Sequence, residues 1–392
     1  MMRVLTVVGA RPQFVKAAPV TRALRERHQE AIVHTGQHYD DAMSAAFFRD
    51  LQIPAPDVNL EVGSGSHAVM TAEMLRRIEP IMLKGKPDGI LVYGDTNSTL
   101  AAALAAAKLV VDGRRPWLAH VEAGLRSFNP LMPEERNRIV ADHLADLCLA
   151  PTETAMRHLS REGLADRAEL VGDVMVDAHL WASQRAEDQL PELARANPGY
   201  VLATLHRAEN VDRPEMLARW MRELAVDRRV IFPLHPRTRQ TMKRTGISAP
   251  PNVTITDPVG YLTMVALEDH AHAIATDSGG VQKEAYLSGV PCITLRNETE
   301  WTETVEAGWN RLIGDVPGGL AAALADSAFM DRTRPRPAPY GDGRAAGRIV
   351  AALEALDARH RAAQAQRGEE SPRQAAAPAP GPRRAASEAP AR

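Results

Sequence analysis

The strongest constraint on this chain's fold is a repeated alternation. Short apolar runs such as "RVLTVVG", "DGILVYG", "WLAHVEAG", "YVLATLH", "RVIFPLH", "HAIATDS" and "PCITL" alternate with longer amphipathic stretches such as "VTRALRERH", "STLAAALAAAKLVV" and "GGVQKEAYLSG". Strands of this kind, each followed by a helix, build parallel sheets covered on both faces. At 392 residues the chain is long for one domain and suits two. Apolar residues make up 45 %, enough to fill two cores. No sequence repeat marks the two halves, yet both have the same βαβ grammar. The expected fold is α/β, with two doubly wound Rossmann-like domains facing across a cleft. A boundary is expected in the polar stretch 184–199, "QRAEDQLPELARANPG", or in the helix just before it. We take 1–180 as the first domain, and 181–365 as the second with a closing helix at its end. Residues 366–392, Pro/Ala-rich and without an aromatic residue, are expected to be a disordered tail.

Charge narrows the functional classes. With 47 Lys and Arg against 49 Asp and Glu, the net charge is −2. Bulk attraction to nucleic acid or to an anionic membrane is excluded, so any grip on an anion must be local. Two cysteines, Cys148 and Cys292, lie far apart without metal-ligand spacing. That pattern fits a reducing cytosol and argues against a disulfide scaffold or a zinc site. The first apolar run is too short for a signal peptide, and no stretch approaches a membrane span. The expected location is therefore cytoplasmic. No G-x-G-x-x-G follows a strand, so a nicotinamide route lacks its usual cradle. "GDGRAAG" at 341–347 is a near miss, but it follows no strand. P-loop, H-E-x-x-H and G-x-S-x-G patterns do not occur. No metal and no cofactor is expected.

In open parallel sheets, ligands bind beyond the carboxyl ends of the strands. Polar residues cluster there in both halves. The first strand runs into "VVGARPQFVKAAP", where Gly9 makes the turn and Arg11 and Lys16 follow. Asp95 follows "ILVYG", Glu122 lies in "LAHVEAG", and Glu134 lies in "MPEERNR". His206 follows "VLATL", and His235 follows "VIFPL". In "DSGGVQKE", Ser278, Gly279 and Gly280 lead into a helix whose free N–H groups and positive dipole end form an anion site. Glu284, one turn further on, can accept hydrogen bonds from both hydroxyls of a ribose. Together these residues describe a grip on a nucleoside diphosphate. Carboxylates gathered in a cleft can push one pKa upward and so supply both an acid and a base. Plainer readings stand beside these. Ser278 can be an ordinary N-cap with Glu284 paired to a lysine. Asp95 can cap the helix near Ser98, Glu134 can be a first-turn acid after Pro133, and Glu122 can pair with Arg126.

The ordered series "VVGARPQFVKAAP", "TGQHYDDAMS", "YGDTNST", "HVEAGLRS", "MPEERNR", "LHRAEN", "PLHPRT", "TDSGGVQKEA" and "LRNETEW" resembles the non-hydrolysing UDP-N-acetylglucosamine 2-epimerases over about residues 3–360. The resemblance implies a fold like that of the GT-B glycosyltransferases, with the active site between the domains. It implies conversion of UDP-N-acetylglucosamine to UDP-N-acetylmannosamine without NAD or metal, through elimination of UDP to a 2-acetamidoglucal and its return. It places Asp95, Glu122, Glu134 and His206 at catalytic positions. It places Arg11 and Lys16 at diphosphate-binding positions, and Ser278, Gly279, Gly280 and Glu284 at phosphate and ribose positions. The stretch "DPVGYLTM" aligns with the segment that holds uracil, where Val259 and Met264 contribute mainly backbone groups. The resemblance also implies a homodimer, with a UDP-sugar as the small-molecule partner.

Two stretches depart from the pattern. Many bacterial members read "QHREML" after the second strand and bind a second substrate molecule there as activator. Here the stretch is "GQHYDDAMS", so simple, non-cooperative kinetics are expected. Many members also carry Arg-Pro after the Thr-Glu that follows a late C-terminal strand, and that arginine touches substrate. Here Trp301 stands in the arginine's place. "TGQHYD" with "TEW" resembles the branch that includes archaeal enzymes and epimerases of UDP-2,3-diacetamido-glucuronate. The rival readings are a 2-epimerase of such a modified sugar, a UDP-sugar glycosyltransferase on the same fold, and a sensor that binds without chemistry.

Overall fold

The computed structural model describes residues 1–36, 48–314 and 316–374. Among them, two all-parallel sheets form the two halves. The first holds β1 (Arg3–Val8), β2 (Gln29–His34), β3 (Val58–Asn59), β4 (Gly89–Tyr93), β5 (Trp117–Val121), β6 (Leu147–Ala150) and β7 (Ala168–Leu170). Its strand order is β3-β2-β1-β4-β5-β6-β7. The second holds β8 (Val201–Thr204), β9 (Val230–Pro233), β10 (Val253–Thr256), β11 (Ala273–Thr276), β12 (Cys292–Thr294) and β13 (Asn310–Leu312). Its order is β10-β9-β8-β11-β12-β13, the pattern of the first sheet less its last strand. The shared grammar of the two halves is thus a shared topology. Strands β4 and β5 are buried along their whole length, as their unbroken apolar runs require.

Seven helices matter for the site: α1 (Arg11–Arg25), α2 (Asn97–Lys108), α3 (Pro133–Leu144), α4 (Val174–Ala186), α5 (Tyr261–His270), α6 (Gly279–Ser288) and α7 (Ala345–Gln374). A cut at 180 falls inside α4, which bridges the halves. Its Ala178 and Ala182 share one core cluster with Phe14 and Val20 of α1 and with Val265 and Ala266 of α5.

The expectation that the closing helix belongs to the second domain is corrected. Ile349, Val350, Leu353 and Leu356 of α7 recur at helical spacing and pack in the same cluster as Val4, Leu24 and Trp117 of the first half. Trp117 Nε1 donates to Asp357 Oδ1 at 3.2 Å. Asp177 of α4 accepts from the backbone N–H groups of Ala345 and Ala346, at 3.1 and 2.9 Å, and so caps α7 from another helix. The chain therefore returns to its first domain at the end. Helix α7 also continues to Gln374, past the expected end of order at 365. The Ala-, Gln- and Arg-rich run "RHRAAQAQR" has high helix propensity and carries it on. The remainder of the expected tail, 375–392, lies outside the described residues.

In each sheet the strand order reverses beside one strand, at β1/β4 and at β8/β11. Ligands of doubly wound sheets bind at such switch points. These are the strand ends at which the polar residues gather. None of the described helices is long and apolar enough to cross a membrane.

Candidate active site

At the first switch point, Gly9 lies between two packed loops. A Cβ at this position would sit 2.0 Å from Thr35 Oγ1 and 2.1 Å from Ser98 Oγ, so close approach rather than a special turn geometry requires glycine. Gln13, which sequence reasoning passed over, organises the loop. Its Oε1 accepts from the N–H groups of Gly9 and Ala10, at 2.8 and 3.1 Å. Its Nε2 donates to Tyr93 O at 2.9 Å and to Thr99 Oγ1 at 3.1 Å. One amide thereby locks the end of β1 to the end of β4. Arg11 opens α1 half-buried, and Lys16 lies buried one turn further on.

Lys16 Nζ contacts Glu122 Oε1. Glu122 follows β5 in the left-handed region, with φ +69°, a conformation that costs a non-glycine residue energy and must be held by its surroundings. Its Oε2 accepts from Lys283 Nζ at 3.3 Å, and Lys283 Nζ also contacts Asp173 Oδ2. Burial pushes the Glu122 carboxyl up, but Lys16 and Lys283 outweigh burial and hold it at about 2. Burial pushes the Lys16 ammonium down, but Glu122, Asp95 and Asp173 outweigh that and raise it. The Glu122–Arg126 pairing is corrected. Arg126 is occupied by Asp142 at 2.8 Å and by Glu162 at 2.7 Å. Asp142 also meets His120 Nδ1 at 2.7 Å, while His120 Nε2 meets Gly94 O at 2.7 Å and steadies the backbone just before Asp95.

Asp95 is not the helix cap. Thr96 caps α2, accepting from Thr99 N–H at 3.4 Å. The Asp95 carboxylate, partly exposed, is held by Arg138 of α3, and its carbonyl accepts from Asn137 Nδ2 at 2.8 Å. The adjacent acids of "PEE" divide their work. Glu135 is buried and accepts from Ser127 N–H and Phe128 N–H at 2.9 and 3.0 Å, which fixes the loop before α3. Glu134 is half-exposed and makes no hydrogen bond or ion pair among the described residues.

At the second switch point, Asp277 organises the loop after β8. It is buried and accepts from His206 N–H at 3.1 Å, Arg207 N–H at 3.0 Å and Asn210 Nδ2 at 3.0 Å. Its Oδ1 also lies 3.2 Å from Nδ1 of the half-exposed His206 ring. A carboxylate on Nδ1 fixes the ring's orientation and turns Nε2 outward. Burial pushes the Asp277 carboxyl up, but the His206 charge and these hydrogen bonds bring it below its ordinary value.

Ser278 caps α6, its Oγ accepting from Val281 N–H at 3.4 Å. The cap bond does not preclude an anion site, because the N–H groups of Gly279 and Gly280 in the first turn stay available. A Cβ on Gly280 would meet nothing closer than Ser278 Oγ at 3.9 Å, whereas one on Gly279 would lie 2.3 Å from Glu300 Oε1. Glu284 is buried and faces the carboxyl of Glu268, on α5, rather than a simple lysine partner. Burial pushes Glu284 up to about 7. Glu268 is driven well above the carboxylate range by burial and by the charges of Glu284 and Asp269. Two carboxyls so placed share a proton.

Val259 and Met264 are half-buried beside Leu267. Val259 helps to line an apolar cavity of about 270 Å³, with Pro191, Ile231 and Leu267 among its walls. The Met264 N–H already donates to Gly260 O at 3.0 Å, within the first turn of α5. The stretch 37–47, which carries most of "GQHYDDAMS", lies outside the described residues.

The halves meet around these groups. Besides Lys283 reaching Glu122, Asn129 Nδ2 donates to Glu298 Oε1 at 2.8 Å. Half-buried Glu300 forms an ion pair with Arg296 at 3.2 Å and lies 3.9 Å from Arg207. The structure thus brings Lys16, Glu122 and Asp95 together in one half, and His206 and the start of α6 together in the other.

A family model for UDP-N-acetylglucosamine 2-epimerase matches residues 22–354. The chain belongs to the UDP-N-acetylglucosamine 2-epimerase family. It is 47 % identical to a UDP-N-acetylglucosamine 2-epimerase homolog of Methanococcus maripaludis, over 91 % of this chain and 100 % of that protein. It is 46 % identical to a UDP-2,3-diacetamido-2,3-dideoxy-D-glucuronate 2-epimerase of Pseudomonas aeruginosa, with the same coverage of both chains. Among solved structures, the Methanocaldococcus jannaschii UDP-GlcNAc 2-epimerase in complex with UDP-GlcNAc and UDP matches with a TM-score of 0.83 and 42 % identity, over 90 % of this chain and 99 % of that one. A glycosyltransferase of kitacinnamycin matches with a TM-score of 0.56 at 14 % identity and shares the fold alone. The epimerase-family fold is therefore the GT-B-like pair of domains.

Sequence reasoning missed Gln13, Asp173, Glu268, Asp277 and Lys283. For Glu268 and Lys283 no local signal marks their burial, because each stands beside other polar residues, in "LEDHA" and "VQKEA".

Proposed function

We propose that the chain epimerises C2 of a UDP-2-acetamido sugar, converting UDP-N-acetylglucosamine to UDP-N-acetylmannosamine. The observation that carries this reading is the meeting, between two switch points, of a carboxylate–lysine cluster with a helix N-terminus and an oriented histidine. A base takes the C2 proton, the C1–C2 double bond forms, and the C1–O electron pair leaves with UDP. The reverse sequence delivers a proton to the other face. Asp95 and Glu134 suit the proton transfers, because each keeps a carboxylate oxygen without a hydrogen-bond partner among the described residues. Glu122 suits electrostatics instead, because a carboxyl held at about 2 is a weak base. Lys16, Arg11 and His206 suit the departing diphosphate, while Ser278, Gly279 and Gly280 seat its phosphates. Glu284 suits the ribose, and Val259 and Met264 flank the base.

The test is incubation with UDP-N-acetylglucosamine alone in deuterated water, followed by NMR at C2. Deuterium at C2 in a retained UDP-sugar supports the reading. Product formed only after an acceptor is added, with no exchange, replaces it by a glycosyltransferase. A second reading, a substrate modified at C3 and C6, is favoured by the relative that is 46 % identical. Comparing exchange on UDP-N-acetylglucosamine with exchange on UDP-2,3-diacetamido-glucuronate separates the two. The same reading includes a homodimer in the cytoplasm, supported by the family resemblance; light scattering after size exclusion tests the dimer.

A further inference from the structure

Lys283 is completely buried and has no part in the reading above. A buried ammonium is costly unless its surroundings compensate it. Here four segments converge on it. Glu122 comes from the end of β5, and Asp173 caps the bridging helix α4. Trp301 follows β12 and presents its ring face with the centroid 3.8 Å from Nζ, and Tyr340 precedes α7 with its centroid at 6.0 Å. Lys283 itself belongs to α6, the helix whose start seats phosphates in the proposed function.

We infer that Lys283 is a positioning residue for the epimerisation: it fixes Glu122, and through Glu122 the ammonium of Lys16, relative to the helix that seats the nucleotide. The inference rests on the proposed reaction. Three observations support it. Glu122 has strained backbone, so its carboxylate stays in place only if outside groups hold it. Lys16 and Lys283 balance Glu122 and Asp173, two charges against two. If Lys16 turns to the diphosphate, Lys283 is the cation left to hold Glu122. Lys283 also neighbours Glu284 on one rigid helix, so seating the ribose and placing Glu122 become one event. Trp301 completes the arrangement. A guanidinium in its place would repel Lys283, whereas an aromatic face attracts it. The tryptophan at the expected arginine position and the buried lysine are therefore a matched pair.

The test uses the full chain with Lys283→Met, and also Lys283→Met combined with Asp173→Asn, which restores the charge balance should the single variant fail to fold. The expected result is a loss of kcat and of C2 deuterium incorporation of roughly 100-fold, as for a misplaced catalytic array. The dissociation constant for UDP by calorimetry stays within about threefold, because nucleotide contacts are kept. A folded variant with wild-type kcat overturns the inference. So does a parallel loss of UDP affinity, which would make Lys283 a nucleotide-binding residue. Absence of exchange by the wild-type chain on any UDP-HexNAc is a separate result, and it fails the proposed reaction itself.

Discussion

Replacing Asp277 with Asn tests whether His206 works only when its ring is held. Asp277 has four hydrogen-bonding neighbours, three of them donors fixed by the fold: His206 N–H, Arg207 N–H and Asn210 Nδ2. An asparagine keeps one acceptor oxygen and turns an NH₂ toward a donor. One buried donor then loses its partner, and the charge-assisted bonds weaken. That costs about 2–4 kcal/mol of stability, taking roughly 1–3 for the orphaned donor plus the lost charge assistance. The contact to His206 Nδ1, 3.2 Å long, is itself of this class. Its loss is about 1.5–3 kcal/mol, or roughly 10- to 100-fold in kcat if ring orientation matters only as UDP departs. The assay is UDP-N-acetylglucosamine turnover by NMR, with thermal unfolding and UDP calorimetry in parallel. Asp277→Asn combined with His206→Ala should be no slower than His206→Ala alone, because the carboxylate acts through the ring. The stability loss also has a pH signature. The Asp277 carboxyl is held below its ordinary value near 3.8, so its contribution is full above that value and vanishes as pH falls through the lower folded value. The Asn variant lacks this dependence. A folded Asp277→Asn with kcat within about twofold of wild type, or losses that simply add with those of His206→Ala, would refute the reasoning.

Three further predictions concern the same cleft. Gly279→Ala places a Cβ 2.3 Å from Oε1 of Glu300, whose other carboxylate oxygen is paired with buried Arg296, so overpacking of about 1–3 kcal/mol and weaker UDP binding are expected; unchanged UDP affinity and melting temperature would count against the packing argument. Because burial lifts Glu284 to about 7 and ribose hydroxyls favour its charged form, UDP binding near that pH should release a fraction of a proton and weaken as pH falls. Calorimetry in buffers of different ionisation enthalpy reads this release, and equal enthalpies in all buffers would remove the ribose role. Asp95→Asn should lower kcat by more than about 100-fold while keeping UDP affinity, since it removes a proton-transfer group and no nucleotide contact; full activity would take Asp95 out of the mechanism.

The sheets were legible because their information is local. An apolar run such as "ILVYG" states its own burial on both faces, and the polar residue after it states where the strand opens. The switch points were less legible, since strand order depends on which runs pair and not on any one run. The two halves share no sequence repeat, yet both reverse order beside their first strand. That reversal is what sets Asp95 beside Lys16 in one half and Asp277 beside His206 in the other. The candidate site divided along the same line. Asp95, Glu134, His206 and Ser278 could be named from strand ends. Gln13, Asp277 and Glu268 could not, because each works by a bond whose other end is remote in the chain.

Lys283 shows why that limit is physical. Helical periodicity assigns it to an ordinary turn of α6, where a lysine reads as solvated. Its burial is decided by Glu122, 161 positions away, and by Asp173, 110 positions away, neither of which has a local reason to need it. A buried charge makes sense only as a set: removing any one member leaves the others uncompensated at about 3–5 kcal/mol. The return of α7 to the first domain completes the set from the other side. Asp177 of α4 caps α7, and Tyr340, just before α7, stands beside the lysine. The closing helix α7, the bridging helix α4 and helix α6 thus converge on one ammonium. The cleft's shape and the place of the Glu122 carboxylate are consequently set by the same contacts, and a change to one will be read in the other.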